Sequence, residues 1–292
     1  VACCCARSVE RRAAMLLLLP LLHAHVPHMD HRSQTTPCPE QPTWAHLCKQ
    51  HTGGYGSGDK CTGGDKKALA SRKRLGAGHV GHFYQEFYPE FVDPLRCLND
   101  LAFLEIGVSK GYSLRMWREF FTGNSTLHFV DLDPAAKKHE APGTKVWIGD
   151  SNSAELMQRI VAEIPGGAFD LIVDDGSHAP ADVRGLFMQL FPLLKPGGIY
   201  AVEDLNSAWD KRGVVPERRE VPLASGENGT HVDMLRDMIK TLNRVNFDPS
   251  YSAGVNGIDH LVGSIFCTEE ACALRRRTHR EHEKAAKEER VG

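Results

Sequence analysis

The stretch FDLIVDDGSH (169–178) ends an apolar run with two carboxylates, a glycine, a serine and a histidine. Asp174, Asp175 and His178 are residue types that carry acid–base chemistry. A polar turn after a strand can also hold such residues without any function, so other parts of the chain must point at them too. Four other apolar runs end in the same way: FLEIG puts Glu105 before Gly107, FVDLD ends in Asp131 and Asp133, WIGD in Asp150, and YAVED in Glu203 and Asp204. Polar residues are ordinary at strand ends, so one or two acids mean little. Acids at all five favour a crevice that binds a ligand at the carboxyl ends of a sheet.

The first of these loops, EIGVSKG (105–111), has glycines at 107 and 111, which let the backbone approach a ligand and open the next helix. It is not the G-x-G-x-x-G of a dinucleotide site. Glu105, two residues before the first glycine, would repel a pyrophosphate and suits a ligand carrying positive charge, such as a sulfonium with an amino-acid ammonium. Asp131 is placed for a ribose diol and Asp150 for the adenine amino group. Glu105, Gly107, Gly111, Asp131 and Asp150, with Asp174 at the end of FDLIVDD, make up the expected S-adenosylmethionine site. A nicotinamide oxidoreductase is disfavoured by the same loop.

Along the chain, short apolar strands alternate with amphipathic helices of roughly 10–15 residues. Strands are expected at 101–108, 127–133, 145–150, 169–175, 198–205 and 260–267, and helices at 112–121, 154–164, 181–194 and, behind a Thr230–Asp233 cap, to Leu242. This alternation means right-handed βαβ units and an α/β, Rossmann-like, mainly parallel sheet with helices on both faces. HFYQEFYPEFVDPL (82–95) has aromatic residues at helical spacing and is expected to cap the core, with Tyr84 and Trp117 as core or pocket wall.

FLEIGVSKGYSLRMWREFF, FVDLDP, FDLIVDDGSH and LFPLLKPGGIYAVEDL together resemble the class I S-adenosylmethionine-dependent methyltransferases, and within them the macrolide sugar (mycinamicin-type) O-methyltransferase group. The resemblance covers roughly two thirds of the chain. It implies His178 as the catalytic base and Asp175, Glu203 and Asp204 as ligands of Mg²⁺. The chemistry agrees: Mg²⁺ takes oxygen ligands, lowers the pKa of a bound hydroxyl, and a histidine can take the proton. The expected reaction is methyl transfer to a hydroxyl of a sugar or other small oxygenated metabolite. A metal-independent methyltransferase and a catalytically silent donor-binding scaffold are the alternatives.

With 41% hydrophobic and 25% charged residues and a net charge of −2, the 292-residue chain has the composition of a protein with a real core, and nothing global suggests nucleic acid as a partner. A small-molecule acceptor is the expected partner, and either a monomer or a homo-oligomer is compatible with the sequence. Arg11 and Arg12 precede AAMLLLLPLL (13–22), too short for a stable membrane span but with the order of a signal peptide. Residues 1–25 are therefore expected to target the chain to the secretory pathway or an organelle, the alternative being a cytoplasmic protein. Residues 26–78 are expected to be a flexible linker that the core can lose, 79–270 the methyltransferase domain, and 271–292 a charged tail. No CxxC pair occurs among the nine cysteines; Cys38, Cys48 and Cys61 are expected to pair among themselves in part, and Cys267 with Cys272.

Overall fold

The computed structural model describes residues 38, 42–52, 82, 84–209, 221–222, 228–243, 258–268 and 270–281. The signal-like segment, most of the expected linker and the end of the charged tail lie outside them.

Apolar runs separated by amphipathic helices fold into alternating elements. Strand β1 is Phe103–Ile106, β2 Leu127–Asp131, β3 Thr144–Ile148, β4 Phe169–Asp174 and β5 Leu194–Val202. Helix α4 (Tyr112–Phe120) follows β1, α5 (Ala154–Val161) follows β3, α6 (Pro180–Leu190) follows β4, and α7 (His231–Leu242) follows β5. The chain then returns through β6 (Val262–Cys267) and β7 (Cys272–Arg276). The seven strands lie in the order β3-β2-β1-β4-β5-β7-β6. The first five are parallel, and β7 is antiparallel to both neighbours. Strand order therefore reverses between β1 and β4, which opens a crevice at their carboxyl ends.

Because side chains alternate along each strand, two apolar layers form. Leu104, Ile106, Ile172 and Val202 face α5, α6 and α7. Phe103, Leu171, Val173 and Ala201 face an aromatic layer built from α4 and the segments before β1. Those segments are α1 (Trp44–Thr52), α2 (Tyr84–Phe87) and α3 (Pro89–Val92). Ser153 accepts a hydrogen bond from the Leu156 amide at the start of α5, and Thr230 and Asp233 form a capping box on α7.

Two expected boundaries move. Within the stretch taken as linker, Trp44–Thr52 is a helix whose Trp44, Leu47 and Cys48 are fully buried, and the Trp44 ring lies 4.6 Å from Tyr88 and 5.8 Å from Trp117. Its apolar residues are too few and too widely spaced to stand out among the Gly-, His- and Lys-rich flanks. At the other end, Cys272–Arg276 is a strand inside the sheet rather than the start of a tail, with Ala271 to Leu274 buried. The basic run that follows hid it. Cys267–Cys272 pairs as expected, but Cys38 bridges to Cys97, fastening the segment before α1 to the turn ahead of β1. Cys48 is disulfide-bonded as well.

Candidate active site at the carboxyl edge of the sheet

The glycine loop after β1 is built by close approach. Gly107 has φ +94°, and a Cβ there would stand 2.1 Å from the Asp175 carbonyl oxygen, so the β1 and β4 loops touch through a position only glycine fits. The space a side chain would take at 107 is thus occupied by the protein's own backbone. Gly111, at φ +70°, caps α4, with the His139 ring packed where its side chain would be.

The expected donor carboxylates sit at or beside this loop, each with partners in the chain. Glu105 is fully buried in the aromatic layer, accepting from Ser113 Oγ at 3.0 Å and Trp117 Nε1 at 3.4 Å. Asp131 Oδ2 accepts the amides of Val108 and Ser109 at 2.8 and 2.9 Å, and its Oδ1 accepts that of Asp133 at 2.8 Å. Asp150 is exposed and accepts the Asn152 amide at 2.8 Å. Asp174 is buried on the other face, where Tyr200 OH donates to it at 2.8 Å; burial above all lifts its carboxyl to about 6. It supports the turn from beneath.

The second group gathers at the ends of β4 and β5. His178 Nε2 lies 3.5 Å from Asp204 Oδ2 and 3.8 Å from Asp175 Oδ1, and all three side chains are about three quarters buried. Among the described residues these three are the group able to share a metal ion, with one donor atom each, all within 4.8 Å of one another. The two carboxylate oxygens suit Mg²⁺, and the imidazole nitrogen beside them can serve either as a third donor or, left off the metal, as a base. Glu203 does not join them. One residue along the strand reverses the side chain, so Glu203 points into the aromatic layer, where Tyr88 OH donates to its Oε1.

His178 and Asp204 have φ of +56° and +54°, left-handed conformations that cost a non-glycine residue roughly 1–3 kcal/mol each. The surroundings hold them there. Ser207 Oγ donates to the His178 carbonyl at 3.0 Å, the Asp204 amide donates to Tyr84 OH at 2.9 Å, and the Leu205 amide to the Glu270 carbonyl at 2.9 Å. Strain kept at two facing side chains marks a site whose geometry matters.

Three residues around this turn went unread in the sequence. His82 is buried; its Nδ1 lies 2.5 Å from Glu270 Oε2 and 3.3 Å from Asp204 Oδ1. Burial alone would lower its pKa, but the bond to Glu270 and the charges of Asp204, Glu270 and Glu203 outweigh that and raise it to about 9. Glu270 comes from the β6–β7 turn. His231, at the start of α7, is buried, and burial above all drops its pKa to about 4, the Leu205 backbone opposing that shift. Only the i, i+4 spacing of Tyr84 and Tyr88 in HFYQEFY hinted at a common face for the phenols.

Residues 104–205 match the family of the methyltransferase domain. The mycinamicin VI 2''-O-methyltransferase of Micromonospora griseorubida is 35% identical over 162 residues, 52% of this chain and 38% of that protein. Demethylmacrocin O-methyltransferase of Streptomyces fradiae is 36% identical over 117 residues, 38% of this chain and 29% of that protein. The chain thus spans less than half the length of these curated relatives. A solved structure of MycE methyltransferase from the mycinamycin biosynthetic pathway, in complex with Mg and SAH, superposes with a TM-score of 0.55 at 26% identity, covering 73% of this chain and 54% of that one. Strand order and crevice are those of the class I methyltransferase fold, and residues 104–205 carry the methyltransferase-domain match. Within that class, the chain resembles the macrolide sugar O-methyltransferases.

Among the described residues no helix is long and apolar enough to cross a membrane.

Proposed function

We propose that this protein transfers the methyl group of S-adenosylmethionine to a hydroxyl of a sugar or similar oxygenated small molecule, assisted by Mg²⁺. The observation that carries this reading is the meeting of His178 with Asp175 and Asp204 at the crevice, beside a loop of class I methyltransferase type. The relatives it resembles are named as O-methyltransferases of macrolide and tetracenomycin sugars.

The donor would lie over the 107–111 loop, with Asp131 and Asp150 toward its ribose and adenine, and Leu132, 70% exposed, offering an apolar wall to the purine. Asp175 and Asp204 would hold the cation, which when bound supplies positive charge that orients an acceptor hydroxyl and makes it more acidic. His178 Nε2, fixed between the two carboxylates, takes the hydroxyl proton. The freed oxygen lone pair attacks the sulfonium methyl carbon, the carbon–sulfur bond breaks, and S-adenosylhomocysteine leaves with that electron pair. The disulfides among the described residues favour an oxidising compartment, in line with the signal-like segment.

The test is methyl transfer from labelled donor to a panel of glycosides and other hydroxylated metabolites, with Mg²⁺ and with EDTA. Labelled ether product that vanishes on chelation and returns with Mg²⁺ is the expected outcome. Product formed equally well in EDTA would select the metal-independent alternative, and label on no hydroxyl compound would sink the acceptor class.

A further inference from the structure

We infer that His82, Tyr84 and Tyr88 are positioning residues that decide which carboxylate oxygens of the β5 turn face the cation; the inference rests on the metal reading above. Asp204 is divided between two tasks. Its Oδ1 accepts from Tyr84 OH at 2.9 Å and lies 3.3 Å from His82 Nδ1, while its Oδ2 lies 3.5 Å from His178 Nε2. The same Tyr84 oxygen accepts the Asp204 amide at 2.9 Å, so one phenol grips both the backbone and the side chain of a residue with φ +54°. Glu203, its neighbour, is buried deeper in the same aromatic layer, where Tyr88 OH donates to it.

These contacts join segments far apart in sequence. His82 is itself held by Glu270, whose Oε1 accepts from Asn206 Nδ2 at 3.2 Å and whose carbonyl accepts the Leu205 amide at 2.9 Å. Glu270 lies in the turn closed by the Cys267–Cys272 disulfide. The acids of β5 are thus gripped from the segment before β1 on one side and the β6–β7 turn on the other. Carboxylates brought together repel one another unless donors or cations compensate. Donors placed on Asp204 Oδ1 and Glu203 Oε1 relieve that repulsion while leaving Oδ2 of Asp204 aimed at the reaction centre. Partners of this outer kind orient metal ligands, and losing one costs roughly 10- to 100-fold in metal affinity.

Tyr84→Phe removes the hydroxyl and keeps the ring, which packs 4.9 Å from His82 and 6.2 Å from Phe87, so the aromatic layer should survive. Mn²⁺ serves as the probe, its affinity read by electron paramagnetic resonance, and S-adenosylhomocysteine affinity is read by calorimetry on the same samples. The expected result is Mn²⁺ affinity lower by roughly 10- to 100-fold with donor-product affinity within about twofold of wild type. His82→Gln, which removes the ring beside Asp204 Oδ1, should weaken Mn²⁺ in the same direction. Unchanged Mn²⁺ affinity in both variants overturns the inference, and so does an equal loss of Mn²⁺ and S-adenosylhomocysteine binding, which would mean general loosening. A wild-type protein that binds no Mn²⁺ would overturn the metal reading and this inference with it, a failure recognisable because it appears without any substitution.

Discussion

At the ends of β1 and β2 the carboxylates are taken up by their own loops, whereas at the ends of β4 and β5 two carboxylates face an imidazole. Asp131 spends both oxygens on three backbone amides of the 108–109 and 133 turns, and Glu105 is bound to α4. Asp175, His178 and Asp204 instead point at one another across a half-open space, two of them in left-handed backbone conformations. One half of the edge uses acids to shape a loop. The other gathers them around a histidine. Gly107 joins the halves, since its missing side chain is what lets the Asp175 carbonyl come close.

The largest effect should follow from breaking the second half. His178→Ala is expected to lower turnover at saturating substrates by roughly 10²–10⁴, the usual worth of a positioned general base, with donor affinity near normal. Steady-state methyl transfer alongside calorimetry of S-adenosylhomocysteine measures both. A mutant with full activity at neutral pH would leave the histidine a turn residue and erase the difference between the halves. In the first half, Asp131→Ala leaves three backbone amides without their acceptor. Hydrogen bonds to a charged group are worth roughly 1.5–3 kcal/mol each at most, and water will replace some, so a loss of about 2 kcal/mol in stability is expected together with weaker donor binding. Thermal melts decide between two roles for this residue. If donor affinity falls while the melting temperature stays put, Asp131 serves the ribose alone and is no loop holder.

The alternation of strands and helices was open to reading because each element carries its own period, and all six expected strands and four expected helices form. The seventh strand, Cys272–Arg276, was not, because only Ala271 to Leu274 are apolar and arginines follow at once. Helix α1 escaped for a similar reason: its stability comes from Trp44 docking on Tyr88 and Trp117, a tertiary fact. In the site, the acids at the strand ends could be named from position. Their sorting could not. Whether Glu203 or Asp204 faces the crevice depends on where β5 stops alternating, and the partners that settle it, Tyr84, Tyr88 and His82, lie more than a hundred residues upstream. Motifs describe what is local, and this turn is held by what is distant.

The smallest effect tests how the second half responds to acid. His231, buried at the start of α7, has its folded pKa dropped to about 4 by burial, against an unfolded value near 6.5, so the unfolded chain binds the proton more readily. Its stabilising contribution is present above pH 6.5 and drains away as pH falls toward 4. Between pH 7 and 5.5 that loss comes to about 1 kcal/mol. Asp174 and His82 run the other way. Asp174, lifted to about 6, favours the folded state increasingly as pH drops below that value, and His82, raised to about 9, contributes fully only below pH 6.5. In the wild-type protein these two oppose His231 across this window. His231→Gln removes one side of the balance and keeps an amide able to reach Leu205. The variant should therefore become more stable at pH 5.5 than at pH 7, by about 1 kcal/mol relative to wild type. Thermal melts at both pH values measure this. Parallel behaviour of the two proteins would mean that His231 titrates alike folded and unfolded, and that the β5 turn rests on something other than a buried neutral imidazole.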